Sequence, residues 1–147
     1  INALLSFLLI SCTTDDIMDF TSTPSAGELV VSIQNIKDTQ GQIGILLFNR
    51  EDGFPSERAK AIQDVLLPIT GKNMTYTIPD LPFGKYAVSV MHDENNNRKL
   101  DTNLFGIPKE GNGVSNNVAS SLGPPRFEKA AFLFQENQQT IRITVRY

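Results

Sequence analysis

Alternating hydrophobic and polar positions run through most of this chain, and they predict short β-strands. The clearest case is the last one, where Ile141, Ile143 and Val145 alternate with Arg142 and Thr144. A period of two gives a strand with one buried and one solvated face. The same alternation, or a short apolar run, predicts further strands at residues 29–34, 43–48, 65–67, 74–78, 86–90 and 130–134.

This pattern of six or seven closely spaced strands defines the predicted fold class. We expect an all-β protein, a single antiparallel β-sandwich of the immunoglobulin-like or prealbumin-like kind. At most one short helix is expected, over residues 57–62 with Ser56 as its N-cap. Pro82 and Gly84 predict a tight bend before the strand that begins at Tyr86.

The first 26 residues have a different pattern. An apolar run over residues 3–10 is shorter than the roughly 20 residues that a membrane-spanning helix needs. It is typical of the core of a signal peptide. The sequence Leu9-Ile10-Ser11-Cys12 resembles a bacterial lipobox, in which the cysteine becomes lipidated. The alternative is a buried N-terminal strand that contains a free cysteine.

From this segment we predict three parts of the chain. Residues 1–11 form a lipoprotein signal peptide that is truncated at its start, residues 12–26 form a lipidated Cys12 with a flexible linker, and residues 27–147 form the sandwich domain. A cysteine with more than one acyl chain anchors a protein stably in a membrane. We therefore expect a bacterial cell-envelope protein, on the periplasmic or outer-surface side, that contacts the membrane through Cys12.

Charge limits the partners that we expect. The formal net charge is −3, and the basic residues form no run. A nucleic-acid partner would require a concentrated basic face, so we expect no nucleic acid. Cys12 is the only cysteine, so no disulfide within the chain is expected.

Residues 92–127 interrupt the strand pattern, and we refer to them as the 92–127 loop. This stretch of 36 residues contains seven Asn, four Gly and three Pro. Loops longer than about 15 residues that lack secondary structure are usually functional or disordered. The apolar side chains at four positions indicate packing anchors rather than disorder: Phe105, Ile107, Leu122 and Phe127.

The first part of the loop matches half of a calcium-binding pattern. Oxygen-bearing side chains recur at alternate positions, and calcium requires several oxygen ligands at once. Arg98 replaces the usual glycine, and Leu104 replaces the usual final Glu. The alternative is a turn in which Asp and Asn bond their own backbone. The candidate ligands are Asp93, Asn95, Asn97, the carbonyl of Lys99, and Asp101. We expect no cofactor other than calcium.

A catalytic interpretation rests on His92, the only histidine in the chain. It could act as the base of a hydrolase, with Ser115 as nucleophile or with a neighbouring carboxylate. No nucleophile motif surrounds Ser115, and we favour a protein that is not an enzyme. Apart from the calcium ligands, the candidate binding residues of the loop are His92, Glu94, Glu110, Ser115 and Asn116.

The loop and its flanks together resemble one family. The residues that carry the resemblance are GKYAV at 84–88, HDENxNxKLD at 92–101, GIPKEG at 106–111, SNN at 115–117 and GPPxF at 123–127. They resemble the secreted bacterial family known as domain of unknown function 2141, over about residues 28–147. The turn and strand at 79–90 also resemble transthyretin-like and carboxypeptidase-regulatory-like sandwiches. In this chain Arg98 stands where the family often has Gly, and Val114 where an aromatic residue is usual.

The resemblance implies a secreted β-sandwich with a shared loop, and it implies no reaction. Three functional hypotheses follow. The first is a non-catalytic envelope lipoprotein domain that presents the 92–127 loop to a carbohydrate, a peptide or an envelope protein, with calcium as the ion that orders the loop. The second is a hydrolase that uses His92 with nearby carboxylates. The third is a purely structural domain.

Overall fold

The computed structural model describes residues 25–119 and 122–147. The predicted signal peptide, Cys12 and most of the predicted linker lie outside these residues. In the described part the strands are β1 (Ala26–Gln34), β2 (Gln42–Phe48), β3 (Gln63–Pro68), β4 (Met74–Pro82), β5 (Gly84–Asp93), β6 (Asn112–Val114), β7 (Phe132–Phe134) and β8 (Gln138–Thr144). Helical structure there is limited to α1 (Phe127–Ala130) and 3-10 turns at Arg58–Lys60 and Ser115–Asn117.

These strands form two sheets. The smaller sheet has the order β4-β1-β8, and the larger one has the order β3-β2-β5-β6, with β7 also pairing with β5. The pairing is antiparallel except between β1 and β8, which run parallel. The all-β sandwich is confirmed, but it is not wholly antiparallel.

The main core lies between the two sheets. Alternate residues of β1 face it, namely Leu29, Val31 and Ile33, and all three are fully buried. The larger sheet contributes the corresponding inward positions of β2 and β5, including Ile45 and Val88. The strand period of two therefore places one face of each sheet in this core.

The larger sheet is also covered on its other face. Leu46 and Phe48 of β2 point away from the main core and pack with Phe127 and Ala130 of α1. Phe54, from the segment before β3, packs edge-on against Phe48 with ring centroids 5.4 Å apart. Because β2 and β5 are buried on both faces, they are nearly continuous in apolar residues. The 92–127 loop lies against this outer face.

The structure differs from the predicted elements in three places. The short helix α1 ends at Ala130, where the sequence predicted the start of a strand. The expected helix over residues 57–62 is a single 3-10 turn, its N-cap is Glu57 rather than Ser56, and no side chain caps it. The Ile62 N–H donates to the Leu47 carbonyl instead, which draws the chain into β3. The described part contains eight strands, because β6 forms within the loop. Its three residues are too few for an alternation to reveal.

Candidate functional site: the 92–127 loop and its cleft

Asp93 ends β5 and fixes the start of the loop. The residue is fully buried. Its Oδ2 accepts hydrogen bonds from the Gln42 side chain at 2.7 Å and from the Arg98 N–H at 2.9 Å. Its Oδ1 accepts the Asn97 N–H at 3.0 Å. A buried carboxylate requires such donors, and here two of the three come from the turn that follows it.

Glu110 performs the same task at the other end of this segment. Its side chain is turned inward, and the residue is only 5% exposed. Oε1 accepts the Glu94 N–H at 2.9 Å, and Oε2 accepts the Asp101 N–H at 3.0 Å. One carboxylate thus joins two points of the loop that lie 16 and 9 residues before it in sequence. This bracing role was not predicted, because sequence spacing does not reveal it.

The Asp101 carboxylate binds the side chains of both Asn residues among the candidate calcium ligands, Asn95 and Asn97. Its Oδ2 accepts the Asn95 Nδ2 at 2.6 Å, and its Oδ1 accepts the Asn97 Nδ2 at 3.0 Å. The side chains of three expected calcium ligands therefore meet, whereas Asp93 points to the backbone. Lys99 is exposed, and its N–H donates to Asn97 Oδ1. Among the described residues, no group of three or more His, Cys, Asp or Glu side chains is placed to hold a metal ion.

The backbone at Arg98 has the left-handed conformation, with φ 64. Calcium loops of this pattern usually place a glycine at the equivalent position to allow a sharp turn. The turn therefore forms here without glycine. The Arg98 N–H donated to Asp93 holds it in place.

His92 lies beneath the loop and is fully buried. Its Nε2 is 2.6 Å from the Gln40 carbonyl oxygen, and its Nδ1 is 2.6 Å from the Tyr147 hydroxyl. A carbonyl can only accept, so Nε2 carries a proton. In the neutral ring Nδ1 then accepts the Tyr147 O–H. His92 thus has both nitrogens engaged and is not accessible to a substrate.

Tyr147 completes this arrangement from outside β8. Its hydroxyl accepts the Lys37 N–H at 2.8 Å, and its ring covers Gly111 so closely that a Cβ there would collide with it. Burial raises the pKa of Tyr147, against a smaller lowering by the hydrogen bond from the Lys37 N–H. The carboxylate of Glu94 adds to the increase. Neither Tyr147 nor Gln40 was predicted as a partner of His92.

The side chains of Ser115 and Asn116 form hydrogen bonds with backbone groups. Ser115 is fully buried; its hydroxyl accepts the Val88 N–H at 2.9 Å and donates to the Ala130 carbonyl at 2.6 Å. The Asn116 side chain donates to the carbonyls of Lys129 and Ala131. These bonds join the end of the loop to α1 and β5. Neither residue is placed beside His92 as a nucleophile would be.

The loop tip does not pack as expected. Phe105 is 88% exposed, Ile107 59% and Leu122 98%, so three of the four predicted anchors face solvent. Only Phe127 is an anchor, at 4% exposed. The tip is shaped instead by polar contacts, since Asn103 Oδ1 accepts the N–H groups of Phe105 and Ile107. The apolar character of these residues therefore did not predict whether their side chains face the core or the solvent.

A cleft of about 1040 Å³ lies between the loop and the outer face of the larger sheet. Its floor includes Gly44 and Met91, and a Cβ on Gly44 would come within 3.0 Å of the Met91 side chain. Arg58 also lies over Gly44. Ile107 contributes an apolar part of the loop wall. The sequence did not indicate this cleft, because its two sides come from distant segments.

Fold and loop together define an all-β sandwich domain with one long braced loop on its outer face. The chain belongs to the bacterial family described as "Uncharacterized protein conserved in bacteria (DUF2141)", whose model matches residues 31–142. The matched residues include the whole 92–127 loop, and the predicted family resemblance is confirmed. No curated protein and no solved structure matches the chain. Within the described part of the chain, no helix has the length and apolar character needed to cross a membrane.

Proposed function

We propose that this is a non-catalytic binding domain of the bacterial cell envelope, and that its ligand occupies the cleft beside the 92–127 loop. The observation that carries the proposal is the cleft itself, about 1040 Å³ in volume and walled by a loop that its own carboxylates brace. Ligand sites are commonly concave and largely preformed, with volumes of about 300–1,000 Å³. A braced wall lowers the entropic cost of ordering the site on binding.

The ligand classes that fit an envelope location are a carbohydrate, a peptide or a segment of another envelope protein. Polar side chains suited to such ligands line the cleft together with apolar ones. The amide side chains among them are Asn97, Asn112 and Asn117. Hydrogen-bonding groups of this kind fix the orientation of a ligand whose apolar parts contact the rest of the lining.

A ligand panel read by amide chemical shifts tests this proposal. Cell-wall oligosaccharides and short peptides are titrated into the wild type and into Thr102→Trp, which places a large side chain in the cleft lining. Thr140→Trp, at an exposed position outside that lining, is the matched control. We expect shifts at cleft amides in the wild type and the control, and their loss in Thr102→Trp. If no panel member shifts the cleft amides, or if Thr102→Trp binds as the wild type does, a purely structural domain is the better account.

The envelope location rests on the lipobox-like sequence that ends at Cys12. We propose that Cys12 carries the lipid and that the domain is held at the membrane by it. Metabolic labelling with an alkynyl fatty acid, in a bacterial host and with the natural leader intact, is expected to label the wild type and not Cys12→Ser. Equal labelling of both proteins, or of neither, would contradict the anchor.

We propose calcium as an ion that orders the loop, with the candidate ligands Asp93, Asn95, Asn97, the Lys99 carbonyl and Asp101. The convergence of Asn95 and Asn97 on Asp101 supports the proposal. Both amides now present their nitrogens to Asp101, so a cation would require them to turn by half a rotation and present oxygens. Bound calcium would also neutralise the negative charge of the Asp101 carboxylate, which neutral amide donors do not.

Thermal melting in a calcium titration tests this point. Calcium that binds the folded form raises its stability by mass action. We expect the melting temperature of the wild type to rise with millimolar calcium, and that of Asp101→Asn to rise much less. Asp101→Asn is preferable to an Asp93 substitution, because Asp93 holds the turn in any case. A wild type that does not respond to calcium would remove the metal from the proposal.

A further inference from the structure

The charges that line the cleft all have one sign. Its ionisable residues with a fixed charge at neutral pH are Arg58, Arg98, Lys99 and Arg146, and no Asp or Glu lines it. The sandwich domain, residues 27–147, carries 13 Lys and Arg and 13 Asp and Glu, so it has no formal net charge. A cleft lined by cations on a domain without net charge concentrates positive potential at one place.

The loop produces this asymmetry by the direction of its side chains. The carboxylates of Asp93 and Glu110 point inward and are satisfied by backbone N–H groups. The Asp101 carboxylate accepts hydrogen bonds from the side-chain amides of Asn95 and Asn97. Arg98 and Lys99, in contrast, are exposed, and neither forms an ion pair within the described residues. The cationic groups of the loop are therefore the ones free to meet a ligand.

The other two cations lie on the sandwich side of the cleft. Arg58 donates from Nε at 2.8 Å and from one terminal nitrogen to the Asp64 carboxylate, an ion pair that holds its guanidinium in place and offsets its charge. Arg146 donates from one terminal nitrogen to the Asn117 carbonyl at 3.0 Å. Each guanidinium has five N–H donors, so both retain donors for an anion after these contacts.

Apolar surface lies in the same cleft. Ile107 is 59% exposed, and Val118, Pro124 and Pro125 line the cleft with it. A ligand with an anionic group alone would leave this surface in water. A ligand with an aliphatic portion would cover it and gain from its burial.

We propose that the cleft binds a small amphipathic anion, a carboxylate or phosphate monoester on an aliphatic chain. This inference rests on the proposed function, since it names the ligand class of the same cleft. Arg98 and Lys99 bind the anionic group, and the aliphatic chain lies against Ile107 and the prolines. A guanidinium binds carboxylate and phosphate groups through charge-assisted hydrogen bonds, which are stronger than hydrogen bonds between neutral groups.

Calorimetric titration with four matched probes tests the inference: dodecanoate, dodecyl phosphate, dodecanol and dodecylammonium. The three charged probes are kept below their micelle concentrations, and dodecanol is kept below its solubility limit. We expect the two anions to bind at least about 10-fold more tightly than dodecanol, as the loss of one charged hydrogen bond implies. Dodecylammonium should not bind. The difference between the two anions identifies which head group is preferred, and added salt should weaken both.

Variants locate the site. Arg98→Gln with Lys99→Gln should weaken dodecanoate binding at least about 10-fold, whereas Lys72→Gln with Arg142→Gln, two exposed cations outside the lining, should not. Equal binding of dodecylammonium and dodecanoate, no binding of either anion, or wild-type affinity in the loop variant would each overturn the inference. Equal binding of dodecanol in the cleft would also overturn it. That last result, or a neutral hit from the oligosaccharide and peptide panel, would leave the proposed function standing.

Discussion

His92 and Asp93 are adjacent, polar and fully buried, and each is satisfied by groups from elsewhere in the chain. His92 contacts the Gln40 carbonyl and the Tyr147 hydroxyl, while Asp93 contacts Gln42 and the loop backbone. The protein loses stability sharply when a buried polar group loses one partner, because that group then has neither water nor a protein group to hydrogen-bond with. His92 and Asp93, which the sequence offered as candidate catalytic and calcium-binding residues, stabilise the fold through these buried hydrogen bonds.

Tyr147→Phe should destabilise the fold. The substitution removes the hydroxyl that contacts the buried His92 ring and leaves Nδ1 without its partner. We expect a loss of about 1–3 kcal/mol in the free energy of unfolding, measured by urea denaturation. Tyr76→Phe is the control, because the Tyr76 hydroxyl has no hydrogen-bond partner among the described residues, and it should change stability by no more than about 0.5 kcal/mol. Equal effects of the two substitutions would show that the contact with His92 contributes nothing.

Tyr147 also predicts a pH dependence. Burial raises its pKa above the ordinary tyrosine value, so the folded state retains the phenolic proton more strongly than the unfolded state. This contribution is fully present below the unfolded-state pKa and is lost as pH rises through the folded-state pKa. The alkaline fall in melting temperature should therefore be smaller in Tyr147→Phe than in the wild type. Parallel curves for the two proteins would contradict the prediction.

At the scale of elements, the 92–127 loop behaves as a built unit. Carboxylates, not apolar anchors, close its first half, and Phe127 with Ser115 joins its end to the sandwich. Its exposed tip at Phe105 follows from this arrangement, because polar contacts at Asn103 close the turn without the aromatic ring.

Glu110→Ala should loosen the loop. The Glu94 and Asp101 N–H groups both lose their acceptor, which is expected to cost about 1–3 kcal/mol in the free energy of unfolding. Glu136→Ala removes an exposed carboxylate in the turn before β8 and should remain within about 0.5 kcal/mol of the wild type. Chemical denaturation of both variants measures the difference. A Glu110→Ala protein as stable as the control would show that the brace is dispensable.

Phe127 and Phe105 should respond in opposite ways to the same substitution. Phe127→Ala leaves a cavity beside Phe54, whose ring centroid lies 5.8 Å from that of Phe127, and should cost about 3–5 kcal/mol. Phe105→Ala removes a ring that is 88% exposed and should change stability by about 0.5 kcal/mol or less. Thermal melting of the pair is sufficient to compare them. A large loss in Phe105→Ala would mean that the tip packs against the cleft in solution.

These elements show how far the sequence alone could predict the structure. Alternation located β1 and β8, since one buried face of a strand leaves a period of two in the sequence, and a short apolar run located β2, which is buried on both faces. It could not reveal the parallel pairing of β1 with β8, which depends on contacts between opposite ends of the domain. The calcium-like spacing identified which side chains share one turn. It did not predict that Glu110 joins two segments of the loop or that Phe105 faces solvent, because neither depends on local spacing.

At the scale of the whole molecule, the sandwich provides an outer face and the loop provides the wall opposite it. The parts of the loop that bear negative charge are turned inward, and the cations remain on the cleft side. The result is a cationic cleft, on a domain without formal net charge, whose wall is formed before any ligand binds. Both the proposed function and the proposed ligand class depend on that preformed wall.

Amide hydrogen exchange on the ligand-free protein, resolved by residue in NMR spectra, shows whether the loop wall is formed without a ligand. The N–H groups of Glu94, Asn97, Arg98 and Asp101 each donate to a loop carboxylate. They should exchange much more slowly than the Leu104 N–H, which has no acceptor among the described residues. If all four exchange as fast as Leu104, the loop is not braced and the cleft is not preformed.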